Sequence, residues 1–229
     1  MNNYVSPPPS SRVNLPATRL GQLFFSLMSH FLYDLGLYRF VSPFIWRCST
    51  QRLLDNYVEN VSQNHLEIGV GSGYFLQRTL CADFLQRLVL LDLNPRCLKK
   101  SARRLLEFGP ENYQHNILLP MKDDGEKYAS VGMNYVLHCI PGDFLTNRRI
   151  FMHIRSVLEE DGVFFGATLL NHPVRANFWS WLMMKLLNAV GIFHNSDHRL
   201  ADLTTALESA FHEVEITRVG SAAVFRAVK

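Results

Sequence analysis

One stretch of the sequence combines an acid with closely spaced glycines. Residues 65–76 read HLEIGVGSGYFL, in which Glu67 stands two residues before Gly69. Gly71 and Gly73 follow at alternate positions. Because glycine lets the backbone approach a ligand without interference from a Cβ atom, this stretch predicts a ligand-binding turn. The dinucleotide-binding pattern GxGxxG differs, since its third glycine comes one residue later than the third glycine here.

The acid restricts the chemistry of that ligand. A carboxylate at Glu67 would repel a pyrophosphate and attract a positive charge. Asp92 ends the hydrophobic run LVLLDL, where a carboxylate can accept hydrogen bonds from both ribose hydroxyls. NAD would use such an acid equally, so Asp92 alone does not discriminate. Together with Glu67 and the glycines it favours S-adenosylmethionine, which carries an ammonium and a sulfonium but no phosphate.

Alternating β and α patterns are predicted to position these residues. The β patterns cover residues 65–69, 88–93, 113–117, 129–137 and 163–170. The helical patterns between and after them cover residues 74–81, 95–108, 147–158 and 197–211, the last with Ser196 or Asp197 as its cap. The C-terminal HEVEITRVGSAAVFRAV predicts a hairpin joined at Gly220 and Ser221. We therefore expect an α/β fold in which helices cover both faces of a mostly parallel sheet, with its ligand outside the carboxyl ends of the strands.

The motif ExGxGxG followed by LLDLNP resembles the class I S-adenosylmethionine-dependent methyltransferases, and the resemblance covers most of residues 60–229. It implies a Rossmann-like fold with a seven-stranded, mostly parallel sheet, helices on both faces and a C-terminal antiparallel hairpin. The cofactor-binding residues that it implies are Glu67, Gly69, Gly71, Gly73, Asp92, Leu93, Asn116 and Ile117. Members of the family often have an acid where this chain has Asn116, and its carbonyl oxygen can accept the same hydrogen bond from the adenine amino group.

The acceptor side is predicted from the segment NYVLHCIPGDF, which lacks the NPPY pattern of nucleic-acid and amide methylating branches. Small-molecule branches commonly carry a histidine after the fourth strand, so His138 is a candidate general base. The alternative is a strand-end histidine bonded to the backbone. Cys139 is predicted to pack in the acceptor pocket, because methyl transfer needs no covalent enzyme intermediate.

Two segments are extra to the minimal fold. Residues 1–17 are predicted to be a disordered proline-rich arm, residues 18–60 an N-terminal helical cap, and residues 61–229 the methyltransferase core. An apolar helix within the insertion 171–196 could cover an apolar acceptor, complete the core, form a dimer contact or lie on a membrane surface. The residues predicted to bind the acceptor are Tyr38, Trp46, Cys139, Phe178, Trp181 and Leu182.

Composition excludes several other classes. The net charge of +3 is spread along the chain without a basic stripe, so we expect no nucleic-acid partner. The four cysteines form no CxxC pair, which favours reduced thiols in a cytoplasmic protein. The pair His194 and His198 lacks a third ligand, so no metal is expected. Charged residues interrupt the two long apolar stretches, residues 20–46 and 176–193, so no transmembrane segment is expected.

The sequence therefore predicts an enzyme that moves the methyl group of S-adenosylmethionine to an O or N atom of a small, largely apolar or aromatic metabolite, in specialised metabolism. S-adenosylhomocysteine would be the product, and a homodimer through the apolar helices is possible. The alternatives are a lipid, quinone or protein acceptor, and a cofactor-binding enzyme that catalyses a non-methylating reaction.

Overall fold

Strands and helices alternate along the chain as the hydrophobic pattern predicts. The computed structural model describes residues 4–5, 34, 36–121, 125–171 and 177–229. The strands are β1 (Tyr4–Val5), β2 (Asn64–Ile68), β3 (Arg87–Asp92), β4 (Glu111–Gln114), β5 (Tyr128–Asn134), β6 (Leu158–Leu169), β7 (Glu213–Val219) and β8 (Ala222–Val228). The α-helices are α1 (Thr50–Asn60), α2 (Tyr74–Thr79), α3 (Pro95–Arg104), α4 (Arg149–Val157), α5 (Phe178–Ala189) and α6 (Leu200–Glu208).

The strands form one sheet in the order β1-β4-β3-β2-β5-β6-β8-β7. Strands β1 to β6 pair in parallel, whereas β8 runs antiparallel to both β6 and β7. The predicted seven-stranded sheet with its C-terminal hairpin is confirmed as β2 to β8. The short strand β1 adds an edge within the predicted proline-rich arm, and the rest of that arm lies outside the described residues.

The strand order reverses at β2, with β3 and β4 on one side of it and β5 and β6 on the other. Such a reversal opens a crevice at the carboxyl ends of the central strands, which is where open α/β sheets bind ligands. The turn after β2 contains Gly69, Gly71 and Gly73, so the sheet topology puts the glycine motif at this crevice.

Each face of the sheet has its own hydrophobic core. On one face, Phe151 of α4 and Leu207 of α6 pack against residues such as Val131. On the other, Leu53 of α1 and Phe75 of α2 join a second cluster, which also includes side chains from α3 and α5. Helices therefore cover both faces, as predicted.

Local capping explains where several helices begin. The Ser49 side chain accepts from the Arg52 N–H at the start of α1, and the Asn94 side chain accepts from the Arg96 N–H at the start of α3. In contrast, α6 has Arg199 as its N-cap without a side-chain capping bond, so the predicted cap at Ser196 or Asp197 is wrong.

Part of the predicted N-terminal cap is helical. A π-helix spans Leu37–Ile45 and contains Pro43. It is followed by α1. Residues 18–33 and 35 lie outside the described residues, so this part of the predicted cap stays a prediction.

Candidate active site

A cleft lies at the carboxyl ends of β2, β3, β4 and β5. The residues after β3 and β4 form its polar end, which consists of Asp92, Leu93, Asn94, Cys97, His115, Asn116, Ile117 and Leu118. The aromatic end consists of Tyr38, Tyr57, Phe75, Tyr135, Val136, Cys139, Ile140, Pro141, Gly191 and Ile192. The strand order places these two ends on opposite sides of β2, and Glu67, Gly69 and Gly71 line the cleft between them.

The glycine turn is packed most closely at Gly69. Gly69 has a φ angle of +70°, and a Cβ atom there would lie 2.3 Å from Cγ2 of Val136. Gly73 caps α2 with a left-handed conformation and approaches Leu105 of α3. Gly73 is not among the residues that line the cleft, so its role in the structure is to let α2 begin close to α3.

Glu67 is buried at the floor of the cleft, with both carboxylate oxygens engaged. Oε1 accepts a hydrogen bond from the Tyr57 hydroxyl at 2.6 Å, and Oε2 lies 3.0 Å from Nε2 of His65. Nδ1 of His65 lies 2.8 Å from the Ser130 hydroxyl oxygen. Gly132 on the neighbouring strand makes room for this network, because a Cβ atom there would lie 2.4 Å from Oε2 of Glu67. The carboxylate is thereby held in a fixed position beside the glycine turn.

Asp92 connects the end of β3 to the glycine turn. Its Oδ1 accepts from the Asn94 N–H at 2.8 Å, and its Oδ2 accepts from the Gly71 N–H at 3.4 Å. Burial raises the pKa of the Asp92 carboxyl to about 6, against the opposite effect of these backbone donors. At neutral pH Asp92 is therefore mostly an anion at the polar end of the cleft.

Asn116 presents a donor to the cleft, where the sequence predicted an acceptor. Its Oδ1 accepts from the Leu118 N–H at 3.1 Å, which fixes the orientation of the amide. Its Nδ2 is buried without a hydrogen-bond partner among the described residues. The buried Ile117 and the half-buried Leu93 line the same end, so an unsatisfied donor stands between apolar surfaces.

The N-terminal segment is attached to the glycine turn through one acid. Oδ1 of Asp34 accepts from the Ser72 hydroxyl at 2.6 Å, and its Oδ2 forms an ion pair with Arg104 of α3. The Arg104 guanidinium also donates to the Ser72 carbonyl at 3.2 Å. Farther along the segment, the ring of Tyr38 stacks on that of Tyr74 at 4.3 Å. These contacts hold Tyr38 over the aromatic end.

His138 lies outside the described lining of the cleft. It is buried, and its ring packs against Phe193 at 4.5 Å. The Leu169 N–H donates to Nδ1 at 3.3 Å, so Nδ1 carries no proton and Nε2 does. Burial, with a smaller contribution from the neighbouring His198, lowers the pKa of the imidazole to about 3. These contacts favour the alternative, a histidine bonded to the backbone, and the catalytic role of His138 stays a prediction.

Some of the residues predicted to bind the acceptor line the cleft, and others do not. Tyr38 and Cys139 line the cleft, and burial raises the pKa of the Cys139 thiol to about 12, which keeps it protonated at neutral pH. Trp46 is buried against Phe193, at a ring distance of 6.1 Å, and does not line the cleft.

The aromatic start of α5 also lies outside the described lining of the cleft, so acceptor binding by Phe178, Trp181 and Leu182 stays a prediction. Nδ2 of Asn177 donates to the carbonyls of Phe44 and Ile45, and this attachment leaves Phe178 62% exposed. The residues that reach the cleft from this insertion follow the helix, at Gly191 and Ile192. An apolar pattern on all sides of the helix gave no signal for which end would turn inward.

Sequence reasoning missed most of the aromatic end. The ExGxGxG and LLDLNP motifs contain none of the missed aromatic residues, which are Tyr57 of α1, Phe75 of α2 and Tyr135 directly after β5. Asn134, which ends β5 and also lines the cleft, was missed as well. One available signal is the position of Asn134 and Tyr135 directly where a parallel strand ends, which is where ligand-binding residues collect. Tyr135 also has a φ angle of 57°, a conformation that is rare outside glycine and is enriched at functional sites.

The side chains of His194 and His198 differ in their contacts, since Nε2 of His194 is buried without a hydrogen-bond partner among the described residues. Nε2 of His198 lies 3.1 Å from the Gly142 carbonyl, and the His194 N–H donates to the His138 carbonyl at 2.8 Å. Within the described ranges, no group of three or more His, Cys, Asp or Glu residues could hold a metal ion. In that same part of the chain, the helices are too short or too polar to cross a membrane.

The reversed strand order, the glycine turn after β2 and the acid at the end of β3 define a nucleoside-binding protein of the Rossmann-like class. The chain is 36% identical over 203 residues to "Methyltransferase ctvB" of Aspergillus terreus, which covers 86% of this chain and 89% of that protein. It is 36% identical over 200 residues to the "Physcion biosynthesis cluster O-methyltransferase" of Aspergillus chevalieri, with 86% and 90% covered. No protein-family model matches the chain.

A solved structure shows the same fold. A SAM-dependent methyltransferase of Thermotoga maritima, described as a possible histamine N-methyltransferase, has a TM-score of 0.65 at 15% identity, over 92% of this chain and 100% of that one. With the sequence relatives above, the chain belongs to the class I S-adenosylmethionine-dependent methyltransferase family, as the motifs predict.

Proposed function

We propose that the cleft binds S-adenosylmethionine and that the protein methylates a small apolar or aromatic metabolite at an O or N atom. The observation that carries this proposal is the charge of the cleft. Two carboxylates, Glu67 and Asp92, line it, and no Lys or Arg is among its described lining residues. A phosphorylated cofactor would lack a cationic partner there, whereas a cationic nucleoside would be attracted.

The polar end matches an adenosine. The Asp92 carboxylate is placed to accept a hydrogen bond from a ribose hydroxyl, since its two oxygens offer about four lone pairs and three backbone N–H groups donate to it. The unpartnered Nδ2 of Asn116 suits an aromatic ring nitrogen, which accepts hydrogen bonds. Leu93 and Ile117 supply the apolar surfaces on which a base would pack.

The methionine end would lie beside Glu67 and the glycine turn. A bound sulfonium would supply an electrophilic methyl group, so the protein's own task is alignment, with acceptor and methyl about 3 to 3.5 Å apart. The fixed carboxylate of Glu67 attracts the positive charge of the sulfonium. Gly69 has no side chain, so its backbone can pack closely on Val136 and also approach the ligand. Gly71 lines the same part of the cleft, and Gly73 acts indirectly by positioning α2.

The acceptor would occupy the aromatic end. The rings of Tyr38, Tyr57, Phe75 and Tyr135 line it, together with Cys139. Such a surface suits a flat apolar molecule. Related fungal proteins are O- and N-methyltransferases, one of them from a biosynthesis cluster, which supports an acceptor from specialised metabolism.

A methyl-transfer assay tests this function. Purified protein is incubated with S-adenosylmethionine carrying a labelled methyl group and with a panel of hydroxylated and aminated aromatic compounds. Label should appear in at least one organic product together with S-adenosylhomocysteine, and Asp92→Ala should reduce the rate at low cofactor concentration. Formation of S-adenosylhomocysteine without label transfer to any acceptor in the panel would contradict the proposed reaction.

A further inference from the structure

Asn134 carries the least satisfied amide among the side chains that line the cleft. It is 9% exposed, and neither Nδ2 nor Oδ1 has a hydrogen-bond partner in the described part of the chain. Asn116 at the polar end has one orphaned atom, whereas Asn134 has two. Burying a polar group without a hydrogen bond is costly, so a group of this kind at a binding site indicates that a ligand completes it.

The sheet register places Asn134 on the aromatic side of the cleft. Side chains alternate along a strand, so Asn134 lies on the same face as Gly132, whose Cβ position faces Glu67. Gly132 pairs directly with Glu67 on the neighbouring strand β2. Asn134 lies two residues farther along β5, at the carboxyl end of the strand, where the cleft opens. The polar end lies beyond β3, on the other side of β2.

The backbone after Asn134 is held firmly. The Tyr135 N–H donates to the Ala167 carbonyl at 2.7 Å, and the Tyr135 hydroxyl lies 3.1 Å from the Ser42 hydroxyl. With its left-handed φ angle, Tyr135 turns the chain immediately after the amide. The position of Asn134 is consequently fixed by the elements on either side of it, as a specificity-determining group requires.

We infer that Asn134 determines acceptor specificity by holding a hydroxyl that stands next to a second oxygen on the acceptor, an inference that rests on the proposed function. The hydroxyl donates to Oδ1, and the adjacent oxygen, such as a ring carbonyl, accepts from Nδ2. An acceptor with only hydrocarbon or ether groups would leave one or both amide atoms unpaired. A pocket built to pair with a hydroxyl discriminates strongly against analogues that lack it.

Binding to the protein saturated with S-adenosylhomocysteine tests this inference. The probes are matched pairs of anthraquinone, acetophenone and chromone, each with and without a hydroxyl beside the carbonyl oxygen. At least one hydroxylated probe should bind about tenfold or more tightly than its parent, and Asn134→Leu should remove that preference. The inference is overturned when no hydroxylated probe binds more tightly than its parent, or when the preference survives in the variant.

The matched control is Asn116→Leu at the polar end. It should weaken S-adenosylhomocysteine binding and leave the preference for the hydroxylated probe unchanged. If Asn134→Leu instead weakens S-adenosylhomocysteine binding and keeps that preference, the amide serves the cofactor and the inference is wrong. Failure of the wild-type protein to bind S-adenosylhomocysteine would contradict the proposed function, which is a separate result.

Thermal unfolding separates this role from a structural one. Because its amide is buried without partners, Asn134→Leu should melt at or above the temperature of the wild-type protein. A loss of several degrees would indicate a structural partner for the amide and would contradict the inference. Asn134→Ala, which removes the same polar atoms without adding volume, should show the same loss of probe preference.

Discussion

The two ends of the cleft are built in different ways. Residues at the polar end follow β3 and β4 directly and are oriented by nearby backbone, as when Asn94 N–H holds Asp92 and Leu118 N–H holds Asn116. The aromatic end collects side chains from the π-helix, α1, α2, the end of β5 and the residues after α5. Under the proposed function, cofactor recognition would therefore be local in sequence, whereas acceptor recognition would depend on packing between distant segments.

Replacement of Gly69, which lies between the two ends of the cleft, should cause the largest loss of stability. Gly69→Ala forces a Cβ atom to within 2.3 Å of a Val136 methyl carbon and places alanine at a φ angle of +70°. Backbone strain and overpacking each cost about 1 to 3 kcal/mol, so we expect a loss of roughly 2 to 6 kcal/mol in the free energy of unfolding, measured by urea titration.

Gly109→Ala is the matched control for this change. Its φ angle is +57°, but nothing lies within 4 Å of the added Cβ atom, so only the cost of the left-handed conformation applies. We expect about 1 kcal/mol. Equal losses in the two variants would show that Gly69 is not a point of close packing between the ends.

Asp92→Ala should damage only the polar end. The lost hydrogen bonds to a charged group are worth about 1.5 to 3 kcal/mol, which corresponds to roughly a 10- to 100-fold weaker affinity for S-adenosylhomocysteine. Affinity is measured by calorimetry, with the preference for hydroxylated probes as the control. A change in that preference without a change in cofactor affinity would reverse the assignment of the two ends.

Two buried groups with shifted pKa values, Asp92 and His138, should respond to pH with opposite signs. The pKa of Asp92 is raised from 3.8 to about 6, so the native state binds its proton more tightly, and this contribution to stability is lost as pH rises through about 6. The pKa of His138 is lowered from 6.5 to about 3, so its contribution is lost as pH falls from 6.5 toward 3.

The pH dependence of cofactor affinity should reflect the protonation of Asp92 and not that of His138. Affinity for S-adenosylhomocysteine should fall as pH decreases below about 6, because the carboxylate becomes protonated, and Asp92→Asn should flatten this dependence. Calorimetry at several pH values measures both. A persistent decrease in Asp92→Asn would assign the titration to another group.

His138→Gln should have the smallest effect on chemistry. Because His138 is absent from the described cleft lining and its Nδ1 accepts from the Leu169 N–H, we expect turnover within about threefold of wild type. General bases contribute about 10²- to 10⁴-fold. A loss of that size at unchanged thermal stability would restore the catalytic role.

The local part of the molecule could be predicted from the sequence. Hydrophobic periodicity indicated β2 to β8, and the ExGxGxG motif placed Glu67 and Asp92 beside one cleft. The tertiary part could not be predicted in this way. Nothing near Phe178 shows that Asn177 attaches the start of α5 to Phe44 and Ile45. Likewise, the protonation and contacts of His138 depend on Leu169 and Phe193, which are distant in sequence.

The most direct measurement of the central claim is calorimetric titration of the purified protein with S-adenosylhomocysteine and, separately, with NADH. A cleft with two carboxylates and no Lys or Arg in its described lining should bind S-adenosylhomocysteine at one site and give no heat of binding with NADH. Binding of NADH without binding of S-adenosylhomocysteine would contradict the account.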